Sequence, residues 1–262
     1  MKSHISISDN VVIKTGATLA MRIEVEKTVR AREIADACGL FEAPKVLDFD
    51  ESTGQAKFEF IPDLLNIRDV VDSEESSKPL MRTIGASLAI IHKNLMLPEK
   101  MKLPLPQEYR EDCFEAFLHC DFGLANVRVT QGNHRPVIID WQISPRFGAP
   151  ATFGTRFFDL MWFVYDLFYR PVGRRRYAMA VGAAPMAREF LRGYFEGSGC
   201  GCDQALFKEY TKRFINAKSA ARKQGFHCKR RLLLIPSHVR LRKFINSADF
   251  NSLKMSRPGS TI

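Results

Sequence analysis

The 262-residue sequence lacks the features that would place it in a membrane, in a secretory pathway or around a zinc ion. Its first residues, MKSHISISDNVVIK, do not have the charged, apolar and small-residue sections of a secretory signal. No apolar run reaches the roughly 18 residues that a membrane-spanning helix needs. The only close pair of cysteines, Cys200 and Cys202, lacks the spacing and the second pair of a zinc site. The sequence therefore predicts a cytoplasmic protein with reduced thiols.

Acidic residues are almost missing from residues 208–243. This segment carries twelve Lys or Arg and a single acid, Glu209, in a chain of formal net charge +10, so the rest of the chain is nearly neutral. Such a concentration of positive charge attracts phosphates, anionic lipid headgroups, nucleic acid or acidic substrates. A solvated helical face is the plainer interpretation, but such faces normally alternate the two signs. The aromatic residues between these cations have helical spacing, which favours core packing over nucleobase stacking, so we expect no specific nucleic acid.

Strands around one helix are predicted for the first part of the chain. Residues 3–14 alternate apolar and polar positions around a central Asp-Asn pair, which predicts two short strands and a tight turn. Residues 19–38 have the apolar spacing of a helix that is closed by a following glycine. Residues 44–50 and 55–61 flank a Glu-Ser-Thr-Gly turn and predict a hairpin that ends at a proline.

The character of the sequence changes after Asn66, where helical periodicity takes over. It predicts helices at residues 67–71, 80–94, 109–118 and 157–169, and two or three more within residues 186–246. The helix at 157–169 is apolar but holds two aspartates, so we expect it to be buried in protein. Its aromatic stripe is interpreted as core. The polar end, residues 251–262, is predicted to be disordered.

The stretch richest in chemical information sets two acids and an amide among apolar runs typical of strands. Residues 127–129 and 137–139 can pair as a hairpin, which brings Asn126 and Asp140 to the same end. Oxygens of these side chains suit a hard divalent ion that keeps several waters and binds phosphates, and Mg²⁺ fits that description. Asp121 precedes the hairpin, where a carboxylate can accept the proton of an attacking hydroxyl.

The pattern His119-x-Asp121-x-x-x-x-Asn126, followed by an isoleucine and Asp140, resembles the catalytic loop and metal-binding aspartate of aminoglycoside phosphotransferases and choline kinases. Trp141 in place of Phe-Gly makes protein kinases the poorer match. The resemblance implies Asp121 as the catalytic base, Asn126 and Asp140 as Mg²⁺ ligands, and ATP as cosubstrate. It implies a structural role for His119.

Upstream segments resemble the nucleotide-binding parts of the same family. Val-Ile-Lys14 resembles the strand lysine that holds nucleotide phosphates, and the next helix resembles the one whose glutamate orients that lysine. Glu24 and Glu26 compete for this role, and the helical wheel favours Glu24, which lies on the apolar face. No glycine precedes Gly16, so we expect the phosphate-covering loop to be abbreviated or absent.

The segment around Glu59, Phe60 and Ile61 resembles the hinge whose backbone groups hold adenine. The resemblance covers roughly residues 8–170 and implies a two-lobed α+β, protein kinase-like fold. Residues 1–62 would form the nucleotide-binding lobe with its hinge. Residues 63–250 would form the catalytic lobe with a basic helical extension.

The acceptor is expected to be a small molecule with a hydroxyl group that receives phosphate. Kinases of cationic aminoglycosides or choline need acidic pockets, and the basic segment would repel such acceptors. We therefore expect a sugar or glycolipid hydroxyl near phosphate or carboxylate groups, as in bacterial surface-polysaccharide assembly. The basic segment also suggests contact with a polyanion or with the inner face of the membrane. Two alternatives are a nucleotide-binding pseudokinase and a non-enzymatic module that binds nucleic acid or a membrane surface.

Overall fold

The protein has the two-lobed α+β architecture that the sequence predicts. The computed structural model describes residues 4–70, 74–141, 151–169, 174–199, 204–225, 234–251 and 253. A four-stranded antiparallel sheet with one long helix forms the N-terminal part, and helices dominate the remainder. None of the helices in these ranges is both long enough and apolar enough to cross a membrane.

Four strands form the N-terminal sheet in the order β1-β2-β4-β3. They are β1 (His4–Ser8), β2 (Val11–Thr15), β3 (Val46–Asp50) and β4 (Gln55–Glu59). Asp9 and Asn10 join β1 to β2 with positive φ angles of 50° and 62°, which is the backbone of a two-residue hairpin turn. Both hairpins predicted from the sequence are therefore confirmed.

The long helix α1 (Thr18–Cys38) ends at the predicted glycine. Gly39 has φ 70°, and its N–H donates to the Ala35 carbonyl at 2.9 Å. Only glycine adopts this left-handed geometry without steric cost, so the helix stops there. One part of α1 packs on the N-terminal sheet through Met21, whereas Ile23 and Ala31 belong to the larger core of the C-terminal part. The helix thus joins the two parts of the fold.

The C-terminal part combines two small sheets with seven helices in its described ranges. Strands β5 (Leu64–Asn66), β7 (Val127–Thr130) and β8 (Pro136–Ile138) form one sheet, and β6 (Glu115–Phe117) pairs with β9 (Phe153–Thr155). The helices are α2 (Ile67–Val70), α3 (Glu74–Asn94), α4 (Phe157–Phe168), α5 (Arg174–Ser198), α6 (Gln204–Gly225), α7 (Leu234–Ile245) and α8 (Ala248–Asn251). Short 3-10 turns lie at Glu99–Met101 and Gln107–Tyr109.

Close helix packing and an aromatic cluster build this larger core. A Cβ atom at Gly85 of α3 would lie 2.0 Å from the Phe190 carbonyl oxygen of α5, so the two backbones touch. The aromatic side chains of α4 are buried, as the sequence predicts: Phe157, Phe158, Trp162, Phe163 and Phe168. Helix α4 therefore forms the centre of the core beneath the loops that carry the polar residues.

Two sequence predictions need correction or lie outside the described residues. The helix predicted at 109–118 is wrong, because Phe114 has φ 53°, which a right-handed helix excludes, and β6 pairs with β9 instead. Of the end predicted to be disordered, Asn251 closes α8 and Leu253 is buried, so the prediction is wrong there, and residues 252 and 254–262 lie outside the described ranges.

The thiols are free wherever they are described. Cys38, Cys113 and Cys120 are not in disulfides. The close pair at residues 200 and 202 lies outside the described ranges.

Candidate active site

The hairpin of β7 and β8 positions the two residues expected to bind Mg²⁺. Val127 pairs with Ile138, and the Ile139 N–H donates to the Asn126 carbonyl oxygen at 2.9 Å. Asp140 follows directly and has φ 61°, a conformation that is costly for a residue with a Cβ atom. Asn126 and Asp140 thus lie at the same end of the hairpin, as the sequence predicts.

Asp121 is tied to Asn126 across the five-residue step that the sequence singles out. The Asn126 amide Nδ2 donates to the Asp121 carbonyl oxygen at 2.9 Å and to the carboxylate Oδ2 at 3.1 Å. The loop between them turns on itself, with the Gly123 N–H donating to the Asp121 carbonyl at 2.7 Å. This geometry orients the Asp121 carboxylate and reserves the Asn126 oxygen Oδ1 for another partner.

Lys14 connects the N-terminal sheet to this hairpin end. Its Nζ lies 2.5 Å from Glu24 Oε1 and 2.7 Å from Asp140 Oδ1. Burial disfavours the charged ammonium, but the charges and hydrogen bonds of the two carboxylates outweigh it, so the pKa of Lys14 is raised. Glu26 pairs with Arg30 at 3.1 Å instead. The structure thus selects Glu24 as the lysine partner.

His119 is held neutral inside the loop. Its Nδ1 accepts the Asp121 N–H at 3.3 Å, which leaves Nε2 to donate to the Ile139 carbonyl at 3.2 Å. Burial, followed by the positive charge of Lys27, lowers the pKa of His119 to about 4. A neutral imidazole that bonds only backbone fits the structural role expected from the sequence.

Asp159 of α4 anchors the backbone just before Asp121. Its carboxylate accepts the N–H groups of His119 at 2.7 Å and Cys120 at 2.9 Å, and it contacts the His92 ring at 3.1 Å. Burial alone would raise the pKa of Asp159, but these hydrogen bonds and the nearby histidines lower it. A fully buried carboxylate with three donors is a structural anchor of the loop.

The predicted hinge uses two of its backbone donors inside the fold. The Glu59 N–H donates to the Lys45 carbonyl at 2.9 Å, and the Phe60 N–H donates to the Asn10 carbonyl at 3.1 Å. Within the described residues, the N–H of Ile61 has no acceptor. It is therefore the donor of this segment that a ligand can use.

An apolar strip beside Lys14 was not identified from the sequence. Cross-strand pairing sets Ile5 opposite Lys14 and Ile7 opposite Val12, so these side chains share one face of the sheet. Ile5 and Ile7 are 52% and 61% exposed. The alternation that predicts the strands does not say which face borders a ligand. Only the register shows that Ile5 and Ile7 share a face with Lys14.

Sequence reasoning also missed Lys27, which is buried behind the loop. Its Nζ donates to the His119 carbonyl oxygen at 2.8 Å. The signal in the sequence was its position three residues after Glu24, on the same face of α1.

Core residues of α4 and α6 approach the other side of the loop. A Cβ atom at Gly123 would lie 3.0 Å from the Asp166 carboxylate and 3.3 Å from the Trp162 indole nitrogen. The Asp166 carboxylate accepts the Leu124 N–H at 3.0 Å. Lys218 of the basic segment is buried, with Nζ 2.9 Å from the centre of the Trp162 ring. The acid Asp166 therefore contacts the loop that carries Asp121, and the cation Lys218 lies against Trp162.

The donor set fits a magnesium ion that is shared with phosphates. No cluster of three His, Cys, Asp or Glu side chains in the described ranges could hold a metal alone. Mg²⁺ usually takes one or two protein oxygens and completes its shell with water and substrate phosphates. The Asn126 amide oxygen and the Asp140 carboxylate supply that number.

Comparisons with known proteins bear on the fold. No protein-family model matches the sequence. No curated protein matches it either.

Solved structures match almost the whole chain. A choline/ethanolamine kinase family protein from Mesorhizobium loti aligns with TM-score 0.54 and 16% identity over 96% of this chain and 87% of its own. The amicoumacin kinase hAmiN, solved with AMP-PNP and Ca²⁺, aligns with TM-score 0.51 and 11% identity over 97% and 90%. A gentamicin complex of APH(2")-IIa aligns with TM-score 0.50 and 14% identity over 91% and 87%. The chain therefore has the two-lobed, kinase-like fold of these small-molecule kinases.

Proposed function

We propose that the protein is an ATP- and Mg²⁺-dependent phosphotransferase that acts on a hydroxyl group of a small molecule. The observation that supports this most strongly is the contact of Lys14 with both Glu24 and Asp140. It joins the N-terminal sheet to the hairpin end where Asn126 holds Asp121. A cation, a hard-metal donor set and an oriented carboxylate are the parts that phosphoryl transfer requires.

ATP is proposed to bind between the N-terminal sheet and the hairpin end. Lys14 would contact the nucleotide phosphates while Glu24 fixes its position. The exposed Ile5 and Ile7 offer an apolar surface on the same sheet face as Lys14, which suits packing against a purine. The N–H of Ile61 would donate to the adenine edge.

Mg²⁺ is proposed to bind the Asn126 and Asp140 oxygens and, when bound, to neutralise charge on the transferred phosphoryl group. Asp121 would accept the proton of the acceptor hydroxyl. Asn126 donates to Asp121 Oδ2 and so fixes the orientation in which this carboxylate would meet the hydroxyl. The base and the metal site are thus oriented through one amide group.

The acceptor is proposed to be a sugar or glycolipid that carries phosphate or carboxylate. Lys218 supports this, because it places a buried cation of the basic segment beside Trp162, which contacts the catalytic loop. The ammonium group of Lys218 would attract a phosphate or carboxylate group of the acceptor. Asp166 on the same side can contribute hydrogen bonds to sugar hydroxyls.

The second candidate is a nucleotide-binding pseudokinase whose basic C-terminal region binds an anionic partner. Two observations favour it: β1 and β2 are joined by only Asp9 and Asn10, without glycine, and α7 carries a basic surface pocket. The pocket has a volume of about 370 Å³ and is lined by Val239, Arg242, Lys243 and Asn246. Such a surface suits a polyanion or the headgroups of an anionic membrane.

The deciding experiment measures transfer from ATP with Mg²⁺ across sugars, phosphosugars and aminoglycosides. The wild type is compared with Asp121→Asn and with Asp112→Asn, the same change at an exposed aspartate. Transfer lost only in Asp121→Asn would support the kinase and name the acceptor class. ATP binding with equal background in all three proteins would support the pseudokinase. Faster transfer to aminoglycosides than to phosphosugars would contradict the anionic acceptor.

A further inference from the structure

We propose that Lys27 is a positioning residue that holds the peptide unit between His119 and Cys120 in the orientation that Asp121 requires. The role in catalysis rests on the proposed function, whereas the contact itself does not. Lys27 is 0% exposed, and its Nζ donates to the His119 carbonyl oxygen at 2.8 Å.

A buried ammonium at this position calls for an explanation. Removing a charged amine from water is unfavourable, and burial lowers the pKa of Lys27. A methionine would fill the same space without that cost. The role of the buried amine therefore lies in the group that it contacts, the His119 carbonyl oxygen.

Both ends of one peptide unit are held by opposite charges. Lys27 donates to the carbonyl oxygen of His119, and the Cys120 N–H of the same peptide unit donates to Asp159 Oδ1 at 2.9 Å. The positive group faces the negative end of the peptide dipole, and the carboxylate faces its positive end. Rotating the peptide by half a turn would set like charges against each other, so this arrangement selects one orientation.

The backbone conformation of Cys120 explains why this peptide unit must be fixed from both sides. Cys120 has φ 71°, the left-handed conformation that residues with a Cβ atom avoid. Asp121 comes next in the chain, so relaxation of Cys120 to a negative φ would redirect the Asp121 backbone. Strained conformations persist only where neighbouring groups determine them from several sides. Lys27 supplies one of those sides and Asp159 the other.

The same helix face also holds the nucleotide-side lysine. Glu24 and Lys27 are three residues apart on α1, one helical turn, so their side chains share a face. Glu24 contacts Lys14, while Lys27 contacts the loop that carries Asp121. Helix α1 thereby fixes both halves of the site relative to each other.

The test is Lys27→Met in the full chain, with Lys93→Met as the same change at an exposed lysine. We expect kcat to fall at least about tenfold in Lys27→Met while the KM for ATP stays within about twofold. Adding Cys120→Gly should restore most of the lost kcat, because glycine accepts a positive φ without strain. Adding Cys120→Ala should not. Unchanged kcat in Lys27→Met, or equal recovery with alanine, would overturn the proposal.

A second readout separates the contact from the activity. We expect the Cys120 amide hydrogen to exchange at least about tenfold faster in Lys27→Met, with unchanged exchange in the middle of α3. This holds even if the wild type transfers no phosphate, and an unchanged exchange rate would refute the contact. If Lys27→Met does not fold, Lys27→Gln, which keeps a neutral donor, replaces it. Failure of both to fold would show that Lys27 serves stability and not positioning.

Discussion

The buried His119, in the loop that carries Asp121, makes the stability of this protein depend on pH. The pKa of His119 falls from the ordinary 6.5 to about 4 in the folded chain, because the ring is buried and Lys27 is nearby. Below pH 6.5 the unfolded chain binds a proton at this ring that the folded chain does not. The unfolded state then binds more protons, so the free energy of unfolding falls as pH falls.

The size of the effect follows from the two pKa values. At about 1.4 kcal/mol for each unit of pKa shift, the loss reaches about 2 kcal/mol at pH 5 and about 3 kcal/mol at pH 4. Burial also lowers the pKa of His92, which adds to the decline in the same direction. Burial raises the pKa of Glu24, which opposes it.

The assay is urea unfolding between pH 7 and pH 5, comparing wild type with His119→Gln. The substituted amide side chain cannot titrate, and His92 and Glu24 remain in both proteins, so the difference between the two pH profiles isolates His119. We expect the variant to be less stable at pH 7 and to lose about 2 kcal/mol less than the wild type on going to pH 5. Parallel profiles would refute a neutral, buried His119.

Three further outcomes are expected. Lys14→Met should lower the rate of phosphate transfer at saturating ATP about a hundredfold or more. The control is Lys57→Met on β4, where the lysine side chain is 42% exposed, and its transfer rate should stay within about twofold of the wild-type rate. Glu24→Gln should lower kcat about tenfold, because Lys14 loses its buried partner, and equal rates in Glu24→Gln and Glu26→Gln would contradict the pairing. Gly85→Ala should destabilise the fold by about 3 kcal/mol or more in urea unfolding, since its methyl group meets the α5 backbone at 2.0 Å, and full stability would disprove that contact.

The sequence best predicts those structural features that are determined by residues close together in the chain. The turn at Asp9-Asn10, the end of α1 at Gly39 and the hairpin that carries Asn126 and Asp140 each follow from a short pattern, and all are confirmed. The sequence predicts a helix where β6 forms, because the partner strand β9 lies far away in the chain and leaves no local signal.

Contacts between distant segments also limit what can be derived about the site. The helical wheel favoured Glu24 over Glu26, but only the position of Lys14 in space decides between them. Lys27 was not identified, because its role depends on a carbonyl group 92 residues away. Spacing identifies the residues of the loop itself, whereas the groups that hold the loop become visible only in the fold.

The number of cations in the basic segment does not equal the number of cations on its surface. The sequence predicts one anion-binding surface from its cations, yet Lys218 is buried against Trp162. Lys212, Arg242 and Lys243 are exposed on α6 and α7. Because Coulomb forces strengthen as water is excluded, salt screens the buried cation less than the exposed ones. On the proposed roles of Lys218 and α7, added salt should weaken binding of an anionic vesicle more than it alters the choice of acceptor.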